Sequence, residues 1–119
     1  MSQRIAGEIL KGHMPTLVLA VVADGPAHGY HIMKQLAARS GNVFELGQGT
    51  IYPVLYALEE DGLLRSRTQT VGGRRRRVYS LTAAGRRSLE QGARRWDVFQ
   101  SAVNDVLRPR RLGVNYGTL

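Results

Sequence analysis

GGRRRRVYSL, residues 72–81, places a turn, a cationic cluster and a strand in immediate succession. Two adjacent glycines supply the positive φ angles that a tight hairpin turn needs. The residues on either side have strand character, so the reading predicts two strands, 63–71 and 75–81, around Gly72-Gly73. Tyr79 and Leu81 share a parity, and both are expected on the core face. Arg74, Arg75, Arg76 and Arg77 then lie at the hairpin tip and its outgoing strand. Alternation keeps all four from reaching one surface together.

Helical signals flank this hairpin. Ile5, Ile9 and Leu10 fit a short amphipathic helix over 2–12. Pro15 suits the first turn of a second helix, 15–23, because its missing N–H has no partner to lose there. Asp24-Gly25-Pro26 stops it. A third helix starts near His28 or Gly29 and runs to Arg39, with Ile32, Met33 and Leu36 on one face. Val43 to Gly47 makes an irregular link. A fourth follows Gln48-Gly49-Thr50 and ends before Gly62, a natural C′ residue. Thr50 as N-cap places Pro53 at the third helical position, where proline is tolerated, whereas an earlier start implies a kink. Ile51, Val54, Leu55 and Leu58 form its inward face, and Tyr52 and Tyr56 its outward one. Thr82 is a good N-cap for a last helix, 83–107. On that helix Leu89, Trp96, Phe99, Val103 and Leu107 recur at helical spacing.

The order helix, helix, helix, strand, strand, long helix is mainly α with a small β-hairpin. A winged helix-turn-helix plus a long C-terminal dimerisation helix fits it. Residues 1–82 read as the DNA-binding domain with its N-terminal helix, 83–107 as the dimerisation helix, and 108–119 as a flexible tail.

Charge is distributed unevenly. Residues 1–61 carry four Lys and Arg against six acids, a net of −2; residues 62–119 carry thirteen arginines against three acids, a net of +10. Like charge concentrated in one half points to a polyanionic partner. Arginine, the cation suited to forked phosphate and base contacts, makes up the whole excess. No segment couples this charge to an amphipathic apolar stripe of the membrane-surface kind. The chain has no cysteine, which removes disulfides, thiolate metal sites and cysteine nucleophiles. Its longest apolar run, 16–23, is far short of the ~20 residues a bilayer requires. A soluble, cytoplasmic protein is expected.

Three blocks make the reading specific: KGHMPTLVLAVVADGPAHGYHIMKQL (11–36), LGQGTIYPVLYALEEDGLL (46–64) and GGRRRRVYSLTAAGRR (72–87). In order and spacing they resemble the PadR family of bacterial transcriptional regulators, over residues 11 to about 107. The single long C-terminal helix resembles the short subgroup. Val78 stands where family members often have a second tyrosine, and Ile51 where leucine is common. The resemblance implies a winged-helix homodimer that binds double-stranded operator DNA and represses neighbouring genes. It also implies that the C-terminal helices form the dimer, helped by the N-terminal one.

On that frame the helix after Gln48 is the recognition helix, with Gln48, Thr50, Tyr52 and Tyr56 as the contacting side chains. It carries no Lys or Arg, and Glu59, Glu60 and Asp61 make its C-terminal end acidic, so that end must point away from phosphate. Packing against the wing is the alternative for Tyr52. Arg74 and Arg75 are the minor-groove candidates, with Arg76 and Arg77 on flanking phosphates. Leu89, Trp96, Phe99, Val103 and Leu107 form the dimer interface, since a lone helix would leave that stripe in water. Some relatives that sense drugs or phenolic compounds bind ligand near the dimer interface, and this resemblance motivates a small aromatic effector, flanked by Trp96 and Phe99, that relieves repression. His28 and His31 have a chelating spacing but no third ligand type nearby, so a capping or surface role is expected. His13 reads as an ordinary polar residue. No cofactor, metal or catalytic residue is expected: there is no phosphate loop after a strand and no nucleophile–base pair. The rival is a sequence-tolerant architectural nucleic-acid-binding protein without effector. Single-strand binding is disfavoured because the aromatics lie on helices, apart from the arginines.

Overall fold

The computed structural model describes residues 10–108. Helices α1 (Met14–Val22), α2 (Gly29–Arg39) and α3 (Gln48–Glu60) precede a hairpin of β2 (Leu64–Val71) and β3 (Arg74–Leu81), and α4 (Ala83–Leu107) follows. A two-residue strand, β1 (Ala27–His28), enters between α1 and α2 and pairs antiparallel with β3, giving the sheet order β1-β3-β2. The sequence reading did not anticipate β1, which is too short to show alternation. Most of the helix expected over 2–12, and the tail beyond residue 108, lie outside the described residues.

Apolar residues at helical spacing on the three helices meet in one core. Val18, Leu19 and Val22 of α1, Ile32 of α2, and Ile51 and Leu55 of α3 are buried together with Leu64 and Tyr79 from the hairpin. Val54, expected inward, lies at the margin and packs against this cluster from a half-buried position. The hairpin turn is Gly72-Gly73, with φ of 57° and 78° and Val71 paired to Arg74. Positive φ at both central positions is what a two-residue loop matching strand twist requires. Helix α3 closes with Gly62 at φ 78°. The N–H of Gly62 donates to Glu59 O at 3.0 Å and that of Leu63 to Leu58 O at 2.9 Å, the paired bonds of a Schellman end.

Thr82 caps α4 as expected, its Oγ1 accepting from Gly85 N at 2.9 Å. The same hydroxyl donates to Gly62 O at 2.7 Å, so one side chain joins the end of α3 to the start of α4. Helix α4 then packs on α1 where Gly92 lies against Thr16; any Cβ at Gly92 would collide with that side chain. Beyond Gly92 the helix carries Trp96, Val98, Phe99, Val106 and Leu107 into solvent.

Tyr79 is fully buried, yet among the described residues its hydroxyl has no hydrogen-bond partner. Burial pushes its phenol up from 10.0 to about 12, against the opposing charge of Arg77. Above pH 10 the unfolded chain therefore releases a proton that the folded chain keeps. Stability from this residue falls as pH rises from about 10 towards 12. Tyr79→Phe is expected to add about 1 kcal/mol at neutral pH by removing an unpaired buried hydroxyl. It should also blunt the alkaline loss. Urea unfolding at neutral pH and at about pH 11 measures both effects.

Candidate nucleic-acid interface

The recognition helix starts earlier than its sequence suggests. Gly47, extended at φ −92° and ψ 176°, is the N-cap, and its carbonyl accepts from Thr50 and Ile51 at 3.1 Å each. Thr50 is thus the third helical residue rather than the cap, and Pro53 lies inside the helix at the sixth position. Packing explains the difference: Ile51 is fully buried, and seating it requires the first turn to form around residues 48–50. Pro53 is exposed. The bond it cannot donate would have gone to the Gly49 carbonyl, on a face that water reaches. Gly47 has no side chain to cap the helix, so among the first-turn N–H groups those of Gln48 and Gly49 remain open to an anion.

Gln48, Tyr52 and Tyr56 recur at intervals of four and form one row along α3. The two tyrosine rings lie 6.2 Å apart. Tyr56 is exposed; Tyr52 is half-buried because its ring lies over Gly29, where a Cβ would come within 2.6 Å of Tyr52 Cε1. Tyr52 therefore packs against the start of α2 while still bordering the hairpin. Thr50 falls on the other side of α3, beside Lys11, Met14, Leu46 and Val54 around a second cleft of about 320 Å³. The structure does not bring Thr50 together with the tyrosine row. Pro53 and Ala57, which the sequence reading passed over, share the exposed face with Tyr56.

The four wing arginines have different surroundings. Among the described residues, the side chains of Arg74 and Arg75 beside the turn have no hydrogen-bond or ion-pair partner, and both residues are exposed. Arg77 donates from Nη1 to Ser66 Oγ at 3.1 Å and lies 3.8 Å from Glu59 Oε1. Ser66 in turn donates to Glu59 Oε2 at 2.6 Å. The acidic end of α3 is thus held against the base of the wing by a serine and an arginine. Arg76 Nη1 stands 3.0 Å from His28 Nε2. Contrary to the expectation from strand alternation that the four could not reach one surface together, all four arginines line one cleft of about 490 Å³, shared with His28, Gln48 and Tyr52 and containing no carboxylate among its lining residues.

On α4, Trp96 is 41% exposed and Phe99 55%. Their rings are 5.9 Å apart, and the His13 ring meets the Trp96 ring edge-on at 5.1 Å. His13 thus belongs to the aromatic cluster of the last helix, a link its sequence position hides. Leu89 packs on the core instead of joining the exposed stripe, and Val103 is half-buried.

A helix-turn-helix with an open recognition-helix N-terminus, flanked by a two-stranded arginine hairpin, defines a winged-helix DNA-binding protein. Residues 18–91 match the PadR-like family of transcriptional regulators. The chain is 43% identical over 77 residues to the transcriptional regulator Rv3488 of Mycobacterium tuberculosis, covering 65% of this chain and 69% of that one. A PadR family transcriptional regulator from Eggerthella lenta superposes with a TM-score of 0.78 at 30% identity, covering 90% of this chain and 92% of the other. A regulator from Clostridium thermocellum shares the fold, with a TM-score of 0.77 at 22% identity over 82% of this chain and 96% of that one. The chain belongs to the PadR-like family: it is a DNA-binding transcriptional regulator, not an enzyme.

Proposed function

We propose that the chain works in the cytoplasm as a homodimeric, sequence-specific repressor whose hold on its operator is relieved by a small aromatic effector. The observation that carries the dimer is the apolar stripe of α4. Phe99, Val106 and Leu107 are 55%, 78% and 66% exposed on a helix that has left its own core, and a second copy would bury them. The DNA-binding unit extends to residue 82, and residues 83–107 form the dimerisation helix. Trp96, Phe99, Val103 and Leu107 make the interface, while Leu89, expected with them, stays packed on its own core. In each half-site, Gln48, Tyr52 and Tyr56 read base edges as one row, with Thr50 contacting from the helix's other side. Arg74 and Arg75 reach the minor groove, and Arg76 and Arg77 serve the backbone. Trp96 and Phe99 from both copies flank the effector.

Pull-down of genomic fragments followed by footprinting tests this reading. The expected result is a short inverted repeat with half-site centres about 34 Å apart, or a multiple of one helical turn. Uniform binding along unrelated fragments would instead support a sequence-tolerant architectural protein. The chain has one tryptophan, so its fluorescence reports the effector site directly. Quenching by planar aromatics is expected, and its absence across a broad panel would remove the effector.

A further inference from the structure

His28 lies at the junction of the wing and the helix-turn-helix. It ends β1, is the N-cap of α2, and pairs with Val78 of β3, one diagonal step from Arg76. Its ring meets two hydrogen-bond donors. The backbone N–H of His31 donates to Nδ1 at 3.2 Å, and Arg76 Nη1 stands 3.0 Å from Nε2. A neutral imidazole has one acceptor nitrogen and one N–H, and a guanidinium only donates. With Nδ1 accepting the cap bond, Nε2 carries the hydrogen and faces another donor. The two N–H groups cannot satisfy each other; an acceptor oxygen beside them satisfies both.

The surroundings decide what that acceptor is. Burial, then the charge of Arg76, then that of His31, hold His28 below its ordinary value of 6.5, so at neutral pH the ring is uncharged and can accept at only one of its two nitrogens, Nδ1 in the cap-bonded tautomer. The cleft in front of it is bordered by arginines and no carboxylate, which favours an anionic oxygen. Gln48 and Tyr52 of the recognition helix share the cleft, so an anion there lies between wing and recognition helix, alongside a bound duplex.

We propose that His28, donating from Nε2, and Arg76 together seat one phosphate oxygen of the DNA backbone. The inference rests on the DNA-binding reading above and adds a neutral, orientation-fixing ligand to the charged wing. His28 anchors the start of α2 while Arg76 belongs to β3, so the shared phosphate fixes the wing relative to the helix-turn-helix.

The test uses the full chain, a short mixed-sequence duplex and two variants. His28→Asn retains an N-cap acceptor but cannot reach Arg76. Its affinity should fall about tenfold per bound chain, the usual worth of a hydrogen bond to a charged group, with an unchanged salt slope. Arg76→Ala should weaken binding and also flatten the slope of log K against log salt by about 0.9. In the wild type, ¹⁵N spectra of the imidazole should show the Nε2–H tautomer and a shift at Nε2 when duplex is added. Wild-type affinity in His28→Asn, or an Nε2 resonance indifferent to duplex, would overturn the seat. Inorganic phosphate that reproduces the Nε2 shift in full would assign the seat to a free anion and overturn the DNA-backbone assignment. Failure of the wild type to bind duplex at any salt would sink the DNA-binding reading and this inference with it.

Discussion

Replacing Arg74 and Arg75 together by alanine is expected to weaken duplex binding on the order of 100-fold per bound chain, for operator and unrelated sequence alike. Both guanidiniums are exposed beside the Gly72-Gly73 turn and, among the described residues, neither is engaged by the protein itself. They therefore lose no internal bond when they bind phosphate or the minor groove. At about 1.5 kcal/mol for each charge-assisted contact, two lost contacts amount to about 3 kcal/mol. The slope of log K against log salt should flatten by about 1.8, because two fewer cations release counterions from the duplex. Folding should be untouched, since the turn is made by glycines and the buried end of β3 by Val78 and Tyr79. Arg77→Ala should cost less affinity, because its guanidinium already bonds Ser66 and lies near Glu59. Titrations of each variant at several salt concentrations provide the comparison. Unchanged affinity and slope in the double variant would rule the wing tip out as the main electrostatic contact.

That contrast shows where sequence reading stops. Strand alternation and the glycine pair were enough to place the hairpin, and Thr82 with its apolar stripe was enough to place the last helix from residue 83 to 107. These are local signals, carried by neighbours within a few positions. The four arginines looked alike because what distinguishes them is distant in the chain: His28 is 48 residues from Arg76, and Ser66 is 11 from Arg77. The start of the recognition helix is not legible in the sequence for a related reason. Gly47 has no side chain to announce a cap, and Pro53 argued for a later beginning. The burial of Ile51 against other elements outweighed both. Likewise Gln48, Tyr52 and Tyr56 are one row by periodicity, but that Thr50 belongs to a different cleft depends on where Lys11 and Leu46 lie.

Gly85→Ala should destabilise the fold by about 2 to 3 kcal/mol, lowering Tm by roughly 10 °C. Helix propensity alone argues the opposite way, since alanine is better than glycine in a helix by about 1 kcal/mol. Geometry decides the sign. A Cβ on Gly85 would strike the Leu63 carbonyl oxygen and come within 2.8 Å of Leu81 Cδ1. That carbonyl cannot retreat freely, because it accepts from Thr82 N at 3.2 Å. Gly85 N is itself the donor to the Thr82 cap at 2.9 Å, so moving either partner loosens the cap as well. Gly49→Ala provides the control: a Cβ there meets nothing within 4 Å, its φ is not in the left-handed region, and a gain of about 1 kcal/mol is expected. Thermal unfolding of the two variants should thus move in opposite directions, and a stabilised Gly85→Ala would refute the close packing at this joint. The consequence reaches function through the same contact. Gly85, Thr82 and Leu63 fix the angle at which α4 leaves the end of the recognition helix, and a dimer built on α4 inherits that angle in the spacing of its two DNA-reading helices. A Gly85→Ala protein that remains folded at low temperature should therefore lose affinity for an inverted repeat more than for unrelated duplex.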